Sequence, residues 1–208
     1  MSEGVKTVAY LSIAASALLL IVCVAIAARR EKFTTRKIVM IAMLTAVYVI
    51  LCLVGTIRLW WMNISVATLP LIIASLLFGP VGGLLVGLLG SFLEQLLSYG
   101  LMATTVLWLV PNTVRGLLLG VYFRKLNYRP TCAQLIGALV IAALITTALN
   151  TLVMYLDSVV QGYYSYAYVF GGVVTRVIAG VITAVVMAFV APPVVGLLER
   201  TLQGMKKN

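Results

Sequence analysis

Residues 69–100, LPLIIASLLFGPVGGLLVGLLGSFLEQLLSYG, decide what kind of protein this is. Two apolar runs, reaching over 64–78 and 82–98, are joined by Phe78-Gly79-Pro80-Val81-Gly82-Gly83, where proline and glycine break a helix and permit a tight turn. Glu94 is the one charge in the quoted stretch, and so apolar a helical hairpin suits hydrocarbon rather than water. The expectation is a pair of rather short membrane helices. Gly83, Gly87 and Gly90, spaced four and three apart, place small residues where a neighbouring helix can approach closely. The glycine-rich turn lacks the lysine and hydroxyl residue of a phosphate-binding loop, and no GxxxxGK[ST] occurs in the chain. The chain therefore carries no visible ATPase of its own.

The same reading extends outward in both directions. Of 208 residues, 63% are hydrophobic and only 10% charged, against about 25% charged in soluble domains. Five further apolar stretches, about 8–28, 38–54, 104–123, 133–156 and 168–195, join the central pair, each close to the length that crosses a bilayer core of about 30 Å. The fold class expected is an all-α integral membrane protein: a six-helix bundle over 36–208, preceded by an extra transmembrane anchor helix and basic linker over 1–35. Bases cluster at Arg29, Arg30, Lys32, Arg36 and Lys37, at Arg124, Lys125 and Arg129, and at Arg200, Lys206 and Lys207. An even number of spans separates each cluster from the next, so all three fit a cytoplasmic side, with the N-terminus outside and the C-terminus cytoplasmic. The formal charge of +10 thereby becomes a topology signal facing anionic lipid, and nucleic acid is not an expected partner. Ala25-Ile26-Ala27 resembles a signal-peptide cleavage site, but cutting there would strand Arg29 and Arg30 outside, so an uncleaved anchor is expected. With no histidine and three cysteines at unpaired spacings, neither a metal site nor a disulfide framework is expected.

Charges inside spans are costly and usually face a cavity or a partner. Glu94, Arg115, Arg176 and Asp157 are the four such residues, and the topology above puts all of them at or above the midplane. Asn112 precedes Arg115 by three residues, on the same helix face, and Asn150 lies two turns inside Asp157. Aromatics share the asymmetry: Trp60, Trp61, Tyr99, Trp108, Tyr155, Tyr163, Tyr164, Tyr166 and Tyr168 all fall on the outer side. An interfacial belt would appear on both faces, so the excess implies a polar, aromatic-walled pocket open to the outside. Ion pairing of Arg115 or Arg176 with Glu94 or Asp157, to hold the bundle together, is the structural alternative. No general base, GxSxG, carboxylate pair or metal cluster accompanies these groups, which argues against an enzyme.

In their order along 36–200, these pieces resemble the substrate-binding S components of energy-coupling factor (ECF) vitamin transporters, in particular the folate-type branch. The resemblance is carried by Ala42 and Ala46 after an Arg-Lys start, Leu69-Pro70, Leu77-Phe78-Gly79-Pro80 and Gly90-Ser91-Phe92 to Tyr99-Gly100. It continues in Trp108-x-x-Pro111-x-x-x-Arg115-Gly116, Leu149-Asn150-Thr151-Leu152, Asp157, Gly162-Tyr163-Tyr164 and Arg176 to Gly180. It implies a six-helix protein of the bacterial plasma membrane that captures a vitamin outside and delivers it through a shared module of one membrane subunit and two ATPases, with no cofactor of its own. The leading helix departs from that pattern. The small-residue stripe of Ala42 and Ala46 can receive a helix of the membrane subunit, or of the same chain.

Folate has a flat pterin, an amidine-like edge and a tail with two negative charges. Trp61, Trp108 and Tyr164 offer stacking faces, Glu94 a grip for the edge, Arg58, Arg115 and Arg176 cations for the tail, and Asn112 and Asn150 further polar contacts. These nine residues form the expected substrate site. Pantothenate and other flat heterocyclic vitamins remain open as ligands. A membrane scaffold without a pocket, or an autonomous secondary transporter with inverted repeats, would be a different class of protein.

Overall fold

A computed structural model describes residues 3–30, 34–59 and 62–204. Among the described residues, helices and one small hairpin are joined by short connections: α1 Glu3–Arg30, α2 Thr35–Val54, β1 Thr56–Leu59, β2 Met62–Ser65, α3 Thr68–Tyr99, α4 Thr105–Lys125, α5 Cys132–Gln161, α6 Tyr166–Phe170 and α7 Val173–Gly204. Five of these helices are long and apolar enough to cross a membrane, and α1 holds a shorter apolar stretch, Tyr10–Ala25. Side-chain caps mark two of the starts. Thr34 accepts from the Lys37 amide at α2, and Thr131 and Gln134 form a reciprocal capping box at α5.

Helix α3 is two arms rather than one rod. Gly79 has φ 68° and ψ −152°, a conformation open to glycine, and Pro80 follows it. Along a continuous helix Ser75 and Gly83 would stand about 12 Å apart. Here a Cβ at Gly83 would lie 2.3 Å from the Ser75 hydroxyl, so the chain doubles back at the turn. The same Cβ would lie 2.3 Å from the Gly116 carbonyl oxygen, and one at Gly116 would lie 2.1 Å from that of Gly83. Backbone therefore meets backbone between the second arm of α3 and α4. Ser75 closes the joint, donating to Leu71 O (2.9 Å) and Gly116 O (3.2 Å). In lipid, where apolar burial between helices is not the driving force, such close packing supplies the attraction. Gly90 faces the ring of Tyr48 on α2 rather than α4, so the small-residue stripe serves two neighbours.

Around this joint, Ile72, Val86, Leu119, Phe123, Leu139 and Met187 form the core shared by α3, α4, α5 and α7. α2 covers it with Ile41, Leu44, Thr45, Tyr48 and Val49 buried, while Ala42, Met43, Ala46, Val47 and Ile50 lie exposed along its other side. α1 lies across α3, α4 and α5. The α3 turn meets the α4–α5 connection, with the Tyr128 hydroxyl against Gly79. The basic residues Arg124, Lys125 and Arg129 consequently mark one end of the bundle.

Two expected span boundaries are corrected. The apolar run starting at 64 is strand, not helix, to Ser65, with Thr56 paired to Ser65 and Ile57 to Ile64. Strand pairing satisfies backbone groups that a loop next to hydrocarbon would leave bare, and the β-branched residues suit it. The stretch 168–195 is interrupted after Phe170 by Gly171-Gly172, poor helix formers that separate α6 from α7.

Candidate functional site

At the end of the bundle opposite the basic connection, where the second arm of α3 and α5 stop and α4 begins, lies a cavity of about 470 Å³. Each wall follows from helical spacing. Thr105, Trp108 and Asn112, at i, i+3 and i+7, share one face of α4, and Asn150, Asp157 and Gln161, at i, i+7 and i+11, share one face of α5. Glu94, Gln95 and Tyr99 come from the last turns of α3, Met102 and Thr104 from the connection, and Tyr163 and Tyr168 from the segment around α6.

The polar groups are held by one another. Asp157, buried at 5% exposure, accepts hydrogen bonds from Gln161 Nε2 (2.9 Å) and the Tyr163 hydroxyl. Gln161 Nε2 also reaches Thr104 Oγ1 at 3.4 Å, tying the end of α5 to the start of α4. The Tyr163 phenol, in the connection outside the spans, is held above its ordinary pKa by burial and then by the Asp157 carboxylate. Its ring stands edge-to-face on Tyr168, centroids 5.4 Å apart. Asn112 Nδ2 donates to Ser91 Oγ at 2.9 Å, which orients the amide, and its oxygen has no partner among the described residues. Gln95 Nε2 donates to Glu94 Oε2 at 3.4 Å. The cavity thus presents two carboxylates, four side-chain amides, hydroxyls and aromatic edges, with no arginine or lysine among the described lining residues. Such a surface orients a ligand by hydrogen bonds and apolar contact. Among the described residues no cluster suited to a metal ion occurs.

Four of the nine expected site residues, Glu94, Trp108, Asn112 and Asn150, are brought together here. Arg115 sits one turn deeper than Asn112, 7% exposed and outside the lining, and its Nε has no hydrogen-bond partner among the described residues. Arg176 is turned to backbone: it donates to Gly172 O (3.2 Å), Val169 O (2.5 Å), Thr151 Oγ1 (3.4 Å) and Met154 Sδ (2.8 Å). Neither arginine pairs with Glu94 or Asp157 among the described residues. Tyr164 stacks edge-to-face on Tyr155 at 5.4 Å. Arg58 stands in β1 with Asn63 opposite it, and Trp61 lies outside the described residues. Sequence reasoning missed Gln95, Met102, Thr104, Thr105 and Gln161. The i, i+4 spacing of Gln161 from Asp157 is the signal that was available for the last of these.

The family model for the ECF-type riboflavin transporter S component matches residues 32–200. The chain belongs to that family. No curated protein matches it. An S component is the substrate-binding subunit of a vitamin transporter and not itself an enzyme. The chain is accordingly a multi-pass membrane protein that takes a small-molecule vitamin and works with an ECF module. The match begins just after α1 and runs through α2 to α6 and the hairpin into α7.

Proposed function

We propose that this S component captures a neutral, flat heteroaromatic vitamin of the riboflavin type in the cavity between Glu94 and Asp157. Delivery then runs through an energising module whose ATPases are separate chains. The observation that carries this is the charge of the lining: two acids, four amides and no base among the described residues. A tricyclic ring can lie against Trp108 and the tyrosines, and a neutral polyol chain can share its hydroxyls among Asp157, Gln161, Asn150 and the threonines. Folate is the second reading, favoured by Glu94 and the aromatics as a grip for a pterin. Its dianionic tail, however, relied on arginines: Arg176 is engaged with carbonyl groups and Arg115 stands outside the lining. The same family description supports a riboflavin-type ligand over the folate-type branch.

The cavity end is assigned to the outside and the basic end, with the C-terminus, to the cytoplasm, on the placement of Arg124, Lys125 and Arg129 at one end of the fold. The exposed stripe of Ala42 and Ala46 on α2 is assigned to the membrane subunit of the module, since no helix of this chain covers it among the described residues.

Titration of the purified chain with riboflavin and folate, followed by tryptophan quenching and calorimetry, tests the ligand. Like-charge contacts cost several kcal/mol, so folate should bind at least about 100-fold more weakly than riboflavin. Folate binding as tight as or tighter than riboflavin overturns the assignment.

A further inference from the structure

Far from the vitamin cavity, the second half of α4 and the first half of α5 enclose a groove of about 550 Å³. Its walls are apolar, with Leu118, Val121, Ile141 and Ile145 all exposed by more than a third. Gly137 makes it hollow, because a Cβ there would meet no atom within 4 Å. From Ala133 to Ile145 the groove follows α5 over thirteen residues, a rise of about 18 Å. That is close to one leaflet of a core about 30 Å thick. Among the described residues α1 contributes nothing to its lining.

Only one end of this groove is polar. Lys125 and Gln134 stand at the mouth, and Arg124 and Arg129 lie exposed in the same connection. No Asp or Glu occurs in the sequence between Glu94 and Asp157, so neither α4 nor the first half of α5 supplies an acid to these three cations. An apolar channel one leaflet deep, ending in exposed cations where headgroups lie, matches a single class of molecule in shape and charge.

We infer that this groove binds one anionic phospholipid, its acyl chain lying along α5 over Gly137 and its phosphate held by Lys125 with Arg124 and Arg129 beside it. A helix of a partner subunit would fill the apolar channel but would leave the cations at its mouth without a counter-charge. Lipid bound here would brace the α4–α5 connection whose Tyr128 packs on the Gly79 turn.

The test uses the full chain in detergent, titrated with dioleoylphosphatidylglycerol and dioleoylphosphatidylcholine and read by native mass spectrometry and thermal shift. A basic residue near a membrane surface contributes enough to shift anionic-lipid binding about fivefold. Wild type should therefore prefer phosphatidylglycerol by at least that factor, and Lys125→Gln should reduce the preference about fivefold. Gly137→Leu, which fills empty space, should lower binding of both lipids while leaving riboflavin affinity and the lipid-free melting temperature unchanged. If Gly137→Leu folds poorly, Lys125→Glu at the exposed rim decides alone by abolishing the preference. Equal binding of the two lipids by wild type, or undiminished phosphatidylglycerol binding by Gly137→Leu, overturns the inference. So does a photo-crosslinker at Ile141 that captures protein rather than lipid in the assembled transporter.

Discussion

The two ends of the bundle are built from opposite charges. At one end Glu94 and Asp157 line a cavity with no base among its described residues, while at the other Arg124, Lys125 and Arg129 crown an apolar groove with no acid between Glu94 and Asp157 in the sequence. The acids are restrained by neighbours: Asp157 is buried and gripped by Tyr163 and Gln161, and Glu94 is half-buried beside Gln95. The bases stand exposed in the last turn of α4 and the connection after it. Fixed, partly desolvated acceptors suit a neutral ligand whose hydroxyls and ring N–H groups must be placed. Long, mobile cations suit phosphates that arrive in many orientations. Between the ends stands the glycine joint of α3 and α4, which keeps them in register.

The largest effect should follow from breaking that joint. Gly83→Leu would drive a side chain into the Gly116 carbonyl oxygen 2.3 Å away, where backbone cannot yield as a side chain can. Destabilisation beyond about 3 kcal/mol is expected, seen as loss of a monodisperse peak and of both binding activities together. A variant melting like wild type would mean the two arms do not pack as described. Next comes the acidic end. Asp157→Asn removes a charge-assisted acceptor and should weaken riboflavin about 10- to 100-fold in calorimetry. If the natural ligand is instead an anion, the same variant should bind it more tightly, so the sign of the change discriminates. The smallest effect on vitamin binding should come from α2. Replacing Ala42 and Ala46 with Leu should leave riboflavin affinity within about twofold yet reduce co-purification with the module's membrane subunit. Weakened vitamin binding with assembly intact would assign the stripe to the ligand site instead.

Much of this was legible in residues 69–100 and their neighbours, because glycine, proline and an isolated charge in an apolar run each have few physical explanations. The turn at Gly79 and the close approach at Gly83 follow from such residues, and Glu94 stands in one cavity with Trp108, Asn112 and Asn150. Arg176 was harder. A charge within a span announces that it has partners but not which ones, and here two of the four are carbonyl oxygens around the Gly171-Gly172 break that no side-chain pattern reveals. Thr104 and Thr105 are neutral residues at a helix end, where polar side chains are common and carry no signal of their own. The hairpin at 56–65 was hidden because strands of four residues are too short for a period to emerge against the apolar background.

The turn at Gly79 also bears on how the chain enters the membrane in the first place. The arm before it, residues 68–78, has eleven residues and rises about 16 Å, roughly half of what a hydrocarbon core requires. Such a segment cannot be recognised and released into lipid by itself during synthesis. It depends on the arm that follows, so the two are expected to enter lipid together as one helical hairpin. The cost of losing that glycine would accordingly be felt by the cell's insertion machinery before any vitamin was met.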